Sequence, residues 1–236
     1  MTEKKKQAKL AKNIYYTWLV VAVCTFLVFV LSLLSLIKVL NFEFSYTSGM
    51  IISALVFASA LLQCITYRKS EKITFEKAVP GMENEITEMI NEAKKVMIDS
   101  GIDQWDELYP TINDVRCDIK NDELIIMRKG GKLAGCYTLN EKADTAYNYG
   151  EWKDTDGKYM VVHRLVVNPK YQGLGYAKVI MKHVEEVVKN SGATSIRLDT
   201  FTKNPVLNNL YRELGFTYVG DAYWRKGKFS LLEKIL

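Results

Sequence analysis

The chain has 236 residues, 48% hydrophobic and 25% charged, with four cysteines and a net charge of +5 at pH 7. These averages exclude a disordered or collagen-like chain and a disulfide-stapled miniprotein, and they allow one ordinary domain plus a further segment. They do not exclude a membrane protein, because the charge is unevenly spread: residues 1–71 hold 8 Lys+Arg against 3 Asp+Glu, and residues 72–236 hold 24 of each.

From Tyr15 to Ile37 there are 23 uncharged residues, 14 of them Leu, Ile, Val or Phe. A helix of that length rises roughly 35 Å, enough to cross a hydrocarbon core of about 30 Å. A second uncharged run, Tyr46–Tyr67, carries the small residues Gly49, Ser53, Ala54, Ala58, Ser59 and Ala60, which let helices approach closely in lipid. The short connection Lys38–Ser45 predicts an antiparallel hairpin. Tyr15, Tyr16, Trp18, Tyr46 and Tyr67 stand near the run ends, as in aromatic belts. Lys4, Lys5, Lys6, Lys9 and Lys12 precede the first run and Arg68, Lys69 and Lys72 follow the second, whereas Lys38 in the connection is balanced by Glu43. The positive-inside rule then places both termini in the cytoplasm of a multi-pass protein of the cell membrane. The first run is too long for a signal h-region, and both runs are long for a buried soluble hairpin. The small residues permit a homo-oligomer without requiring one.

Residues 72–236 change in texture. Ile73–Ala78 alternates and reads as a strand. Pro80–Asp99 reads as an amphipathic helix with Met82, Ile86, Met89, Ile90, Ala93 and Met97 on one face and Gly101 as its stop. Thr111–Lys120 is a short helix with Thr111 as N-cap. Glu123–Arg128 and Lys132–Leu139 flank Gly130-Gly131 as a hairpin. Asn140–Gly157 lacks an apolar period and reads as a long loop. Tyr159–Val167 is a β-branched strand, Gly173–Asn190 a helix, Ser195–Thr200 a strand and Pro205–Leu214 a helix. Strands follow near Phe216–Asp221 and Phe229–Lys234. The alternation predicts an α/β domain with a mixed sheet covered by helices.

Cys24 and Cys64 lie in the apolar runs. Cys117, Cys136, His163 and His183 offer no zinc-binding spacing, so no metal is expected and a reduced compartment fits. Residues 72–236, with no net charge, give no support for nucleic-acid binding.

Between the strand ending at Val167 and the helix near Gly173 lies Asn168-Pro-Lys-Tyr-Gln-Gly-Leu-Gly-Tyr-Ala177. Glycines at a helix start let backbone approach a ligand, and free N–H groups there form an anion site. No Gly-Lys-Ser/Thr follows, so it is not a Walker loop. Lys178 stands where the third glycine of a dinucleotide fingerprint belongs.

In this context the sequence resembles the Gcn5-related N-acetyltransferases, the GNAT superfamily. Gln172, Gly175 and Ala177 fill its Gln/Arg-x-x-Gly-x-Gly/Ala motif, after a strand that reads His163-Arg-Leu-Val-Val-Asn-Pro-x-Tyr. Asn204, Tyr211, Gly215 and Phe216 match a second block, in which Leu207 replaces the usual alanine. Gly101–Pro110 resembles a segment of one bacterial branch. The resemblance covers about residues 72–236 and implies a GNAT-like, centrally splayed mixed sheet flanked by helices, here preceded by a transmembrane α-hairpin (residues 1–71).

The resemblance further implies acetyl-CoA as cosubstrate and an amine, small or peptide-borne, as acceptor. The CoA pyrophosphate would sit on the N–H groups of Gly173, Leu174, Gly175, Tyr176 and Ala177, and the pantetheine arm on the backbone of Leu165, Val166 and Val167. A backbone N–H there would stabilise the oxyanion. Tyr211 is the candidate general acid, or else a packing tyrosine. Asn204 bonds the CoA arm, caps its helix, or both. His163, Glu151, Asp199 and a water chain compete as general base. Trp105 and Tyr109 are candidates for the acceptor wall, or cover the core. The alternative to an enzyme is a non-catalytic CoA-binding regulatory membrane protein. Only about five residues, Arg68–Lys72, link the second run to the first strand, which suggests an acceptor found at the membrane.

Overall fold

The computed structural model describes residues 3–36 and 46–236, and the chain divides into two units, Met1–Lys72 and Ile73–Leu236. In the first unit, α1 (Glu3–Leu36) and α2 (Tyr46–Glu71) pack together. The helix α1 begins well before Tyr15 and takes in the lysine-rich arm. The buried residues are mostly small, Ala22, Ser53, Ala60 and Cys64, while Val20, Leu55 and Leu62 are 61%, 65% and 66% exposed. Two ring pairs join the helices, Tyr15 with Tyr67 (centroids 4.6 Å apart, stacked) and Phe26 with Phe57 (5.5 Å).

The segment Lys12–Leu31, with a mean hydropathy of 2.3, is long and apolar enough to cross a membrane; in α2 the apolar stretch among the described residues, Ile51–Tyr67, is shorter. One span, not the expected pair, therefore meets the length requirement among the described residues, and the multi-pass topology is not supported. The connection Lys38–Ser45 and the side chains of Lys4, Lys5, Lys6, Lys9, Gly49, Arg68 and Lys69 lie outside what is described.

The second unit runs β1 (Ile73–Lys77), α3 (Glu83–Asp99), α4 (Ile112–Lys120), β2 (Leu124–Lys129), β3 (Lys132–Asn140), β4 (Tyr159–Val167), α5 (Tyr176–Asn190), β5 (Ser195–Phe201), α6 (Pro205–Glu213), β6 (Thr217–Trp224) and β7 (Gly227–Ile235). Two 3-10 turns, Thr145–Tyr149 and Pro169–Tyr171, break up stretches expected as loop. The helices begin where local chemistry dictates. Asp114 accepts from Thr111 N at 2.6 Å to start α4, and Asn204 accepts from Leu207 N at 3.2 Å to start α6, with Pro205 next.

The seven strands form one sheet in the order β1-β2-β3-β4-β5-β7-β6. Every pair is antiparallel except β4 and β5. On one face, Ile86, Ile90, Val115 and Ile119 of α3 and α4 pack on Ile126, Cys136 and Val166. On the other, Ile180, Met181, Val184 and Val188 of α5, at helical spacing, pack on Tyr137, Val162, Ile196 and Leu198. A smaller cluster of Tyr147, Val161, Val219, Ala222 and Leu231 fixes the segment after β3 over the far end of the sheet.

The parallel pair is short. Tyr159, Met160 and Val161 pair with Ser195, Ile196 and Arg197, and there the pairing stops. Beyond it β4 stays with β3 and β5 with β7, so the two strands splay and a cleft opens in the middle of the sheet.

Candidate active site

The cleft is bordered by backbone. On the side facing β5, Val162–Val167 have no partner strand, so a ligand with amide groups can pair there as an added strand. The side chains of Val166 and Val167 are buried on opposite faces and Leu165 is half-buried, leaving the main chain as what these residues offer.

At the end of β4, Gln172 Nε2 donates to Val167 O at 3.0 Å. The side chain of Asn168 accepts from Lys170 N and donates to Leu133 O at 3.2 Å. Both side chains fold the turn back onto the strand. The helix starts at Tyr176, later than the expected Gly173, because Gly173 and Gly175 take φ of 78° and 89°. In that left-handed conformation glycine carries no Cβ penalty. Gly175 supplies no side-chain cap, and the consecutive N–H groups from Gly173 to Ala177 donate to no acceptor among the described residues. Bare N–H groups at the positive end of a helix form an anion cradle. Leu174 and Ala177 pack partly into the core, and Tyr176 is buried edge-on to Tyr171.

The opposite wall gathers ionisable groups. Asp199 lies on β5, past the point where β4 departs, and Tyr147 Oη donates to its Oδ1 at 2.9 Å. Burial pushes the Asp199 carboxyl up to about 6. Tyr211, on α6, is buried, and burial pushes its hydroxyl far above the ordinary tyrosine range, with the Asp199 charge adding to the shift. The hydroxyl therefore stays protonated at any ordinary pH and is a weaker acid than an exposed tyrosine.

His163 lies elsewhere. Its Nε2 is 3.0 Å from Asn140 Oδ1 and 3.2 Å from Lys142 O, both acceptors, so Nε2 carries the proton. Burial, with the neighbouring Arg164 charge, lowers its pKa to about 4. As a base it is weaker than Asp199. Of the other base candidates, Glu151 has its backbone N–H on Val219 O, in the loop after the 3-10 turn.

Tyr109 joins the wall through its hydroxyl, which accepts from Arg164 Nη1 at 2.9 Å. Trp105 packs instead against the core under α3 and α4. Asn204 caps α6, as expected, and its Nδ2 donates to Gln104 Oε1 at 3.3 Å, joining the α3–α4 connection to the far side of the cleft. That connection is also tied to the β6–β7 turn, where Arg225 donates to both oxygens of Asp106 at 2.6 and 2.7 Å and Lys226 reaches Asp103 at 2.7 Å. These bonds to Arg225 and Lys226 hold the Asp106 carboxyl well below the usual range.

Sequence reasoning missed Tyr147, Gln104 and the pairing of Arg164 with Asp118, whose carboxylate takes Arg164 Nη2 at 2.6 Å. An arginine in an otherwise apolar strand was the available signal. Burial pushes the Cys136 thiol up to about 12, which removes it as a nucleophile. No cluster of His, Cys, Asp or Glu able to hold a metal occurs among the described residues.

Comparison with known proteins gives the family. The sequence profile described as "Acetyltransferase (GNAT) family" matches residues 86–216, more than half of the chain, and the chain belongs to that family. A curated protein of Bos taurus, thialysine N-epsilon-acetyltransferase, is 32% identical over 76 residues, 32% of this chain and 43% of that protein. The chain thus matches less than half the length of that relative. A GNAT-family acetyltransferase from Streptococcus agalactiae is similar with a TM-score of 0.62 and 25% identity, over 70% of this chain and 95% of that one. The PaiA N-acetyltransferase of Thermoplasma acidophilum, solved with coenzyme A, shares the fold at a TM-score of 0.54 and 17% identity, over 70% and 99% of the two chains. The family match does not reach α1 or α2.

Proposed function

We propose that the chain is a membrane-anchored N-acetyltransferase that passes the acetyl group of acetyl-CoA directly to an amine. The observation that carries this reading is the ionisable Asp199 beside Tyr211, on the wall that faces an unpaired strand edge and an anion cradle. Acetyl-CoA fits as a ligand whose pyrophosphate meets the N–H groups of Gly173–Ala177 and whose amide arm follows β4. The acceptor nitrogen attacks the thioester carbon, and the C–N bond forms as the carbonyl electrons move to oxygen. A backbone N–H of Leu165–Val167 stabilises that oxyanion. Asp199, ionised at neutral pH, takes the proton released by the nitrogen. The C–S bond then breaks, and the departing sulfur takes the proton of Tyr211. Since Asp118 already neutralises Arg164, the carboxylate of Asp199 leaves the wall suited to a cationic acceptor.

One observation favours a second reading, a CoA-binding regulatory protein without turnover: a hydroxyl raised as far as that of Tyr211 is a poor proton donor. CoA release from acetyl-CoA by the full-length chain, assayed against a panel of amines with mass detection of product, separates the two. Turnover that falls about a hundredfold in Tyr211→Phe supports the enzyme. Tight CoA binding with no product from any amine supports the regulator.

Anchoring rests on the apolar Lys12–Leu31 segment and on the outward apolar residues of both helices. The protein is expected to stay in the membrane pellet after alkaline carbonate extraction. Release into the supernatant would refute the anchor.

A further inference from the structure

The backbone of β4 is bent at one residue. Across β3, Thr138 faces His163 and Cys136 faces Val166, so Arg164 and Leu165 together oppose Tyr137. This is a β-bulge, a device that re-aims a strand and its groups. Within it Arg164 adopts φ 49°, the left-handed region that a non-glycine residue occupies only at a cost. The bulge falls just past Val161, where β5 has left the strand and the main chain borders the cleft.

The Arg164 side chain holds this conformation from three elements. Its Nε and Nη2 donate to the two oxygens of Asp118, on α4, at 2.9 and 2.6 Å. Asp118 Oδ2 also accepts from Thr138 Oγ1, on β3, at 2.7 Å. Arg164 Nη1 donates to the Tyr109 hydroxyl, in the α3–α4 connection, at 2.9 Å. The two charged side chains are 15% and 6% exposed. A buried ion pair is weak evidence for stability, because desolvation offsets much of the attraction. What this one does supply is geometry: a two-pronged guanidinium–carboxylate contact fixes direction as well as distance.

We propose that the Asp118–Arg164 pair is a positioning device for acetyl transfer, setting the bulge that aims the free backbone of Leu165 and Val166 at the thioester carbonyl while its third bond fixes Tyr109 on the acceptor side. The inference rests on the acetyl-transfer reading and adds two positioning residues to it. Neither residue touches the reacting atoms. Both act through the main chain of β4, and one bond to Tyr109 ties the same arginine to the acceptor wall.

The test uses the full-length protein and four variants: Asp118→Asn, Arg164→Lys, Arg164→Gly and the Asp118→Asn/Arg164→Lys double. A displacement of the reacting groups by a fraction of an ångström lowers turnover by about tenfold to a hundredfold. That loss is expected in kcat for Asp118→Asn and for Arg164→Lys, with KM for acetyl-CoA within about twofold of wild type, since the anion cradle is untouched. The double variant is expected to be no slower than the worse single, as for groups that act as a unit. Arg164→Gly separates position from strain, because glycine adopts the left-handed conformation freely but has no side chain to clamp. It is expected to fold and to remain as slow as Arg164→Lys.

Full kcat in folded Asp118→Asn, restored kcat in Arg164→Gly, or multiplying losses in the double variant would each overturn the proposal. If the wild type releases no CoA with any amine, the acetyl-transfer reading fails by itself. The clamp is then judged by amide hydrogen exchange at residues 163–166. Exchange about tenfold faster in Asp118→Asn upholds the clamp, and unchanged protection overturns it.

Discussion

Replacing Asp199 by asparagine is expected to raise stability while lowering activity. Burial lifts the Asp199 carboxyl from 3.8 to about 6. A carboxyl whose pKa is higher in the folded chain binds more protons there than in the unfolded chain, so its ionisation opposes folding as pH rises through that interval. At 1.36 kcal/mol per unit the full penalty is about 3 kcal/mol. The residue is only half-buried, so solvent screening reduces this to about 1–2 kcal/mol. Asparagine removes the charge, and its Oδ1 can still accept from the Tyr147 hydroxyl. For a unit of this size the gain corresponds to roughly 3–6 °C in Tm.

The sign with pH follows. Above about pH 6 the wild-type carboxylate is charged and the variant holds its full advantage. Below about pH 4 both side chains are neutral and the advantage disappears. Thermal unfolding followed by tryptophan fluorescence from pH 4 to 8, with wild type and variant in parallel, reads the difference directly. CoA release at neutral pH should meanwhile fall by about a hundredfold or more, the usual share of a general base. An unchanged or lower Tm at pH 7.5, or a gain that persists undiminished at pH 4, would refute the assignment of a half-buried, destabilising carboxylate.

Two other outcomes follow from the same wall and from the cradle opposite. Tyr147→Phe removes a donor that holds the Asp199 carboxyl down, so the acidic limb of the activity profile should move to higher pH by about half a unit to one unit; a limb that stays near 6 would show that the bond does not form. Gly175→Val places a β-branched residue at φ 89°, where the Cβ meets open space and only the backbone objects. Calorimetry with CoA on the full chain should show binding weakened about tenfold as the N–H groups turn away, whereas unchanged affinity would remove the cradle from the CoA site.

The elements were readable because each one carries its signal locally. The face of α5 repeats at helical spacing, Thr111 announces α4, and the glycine pair at 130–131 announces the β2–β3 hairpin. The starts of α3 and α5 lay further along than expected for one reason: glycines at 81, 173 and 175 with positive φ extend the preceding turn. The position of β7 between β5 and β6 was not readable, since a hairpin fixes which strands pair but not which of the two lies inward. The N-terminal unit divides the same way. The unbroken apolar run of α1 is local and clear. Whether α2 also spans depends on a few residues of length, which composition does not settle.

The site was readable where it is made of backbone and obscure where it is made of charge. Glycine spacing exposes the anion cradle, because φ above zero is a property of the residue type. The ranking of bases is not a property of type. Histidine outranks aspartate as a base in water, with reference values near 6.5 and 3.9, yet here the order is reversed. Burial alone moves each toward its neutral form, which raises an acid and lowers a base, and Arg164 pushes His163 further down. The same arginine occupies the bulge, and nine residues read as one unbroken β-branched strand leave no place for a bulge. A single charged residue in β4 thus bears on two departures from the sequence reading: it occupies the bulge that re-aims the strand, and it adds to the burial that weakens the histidine.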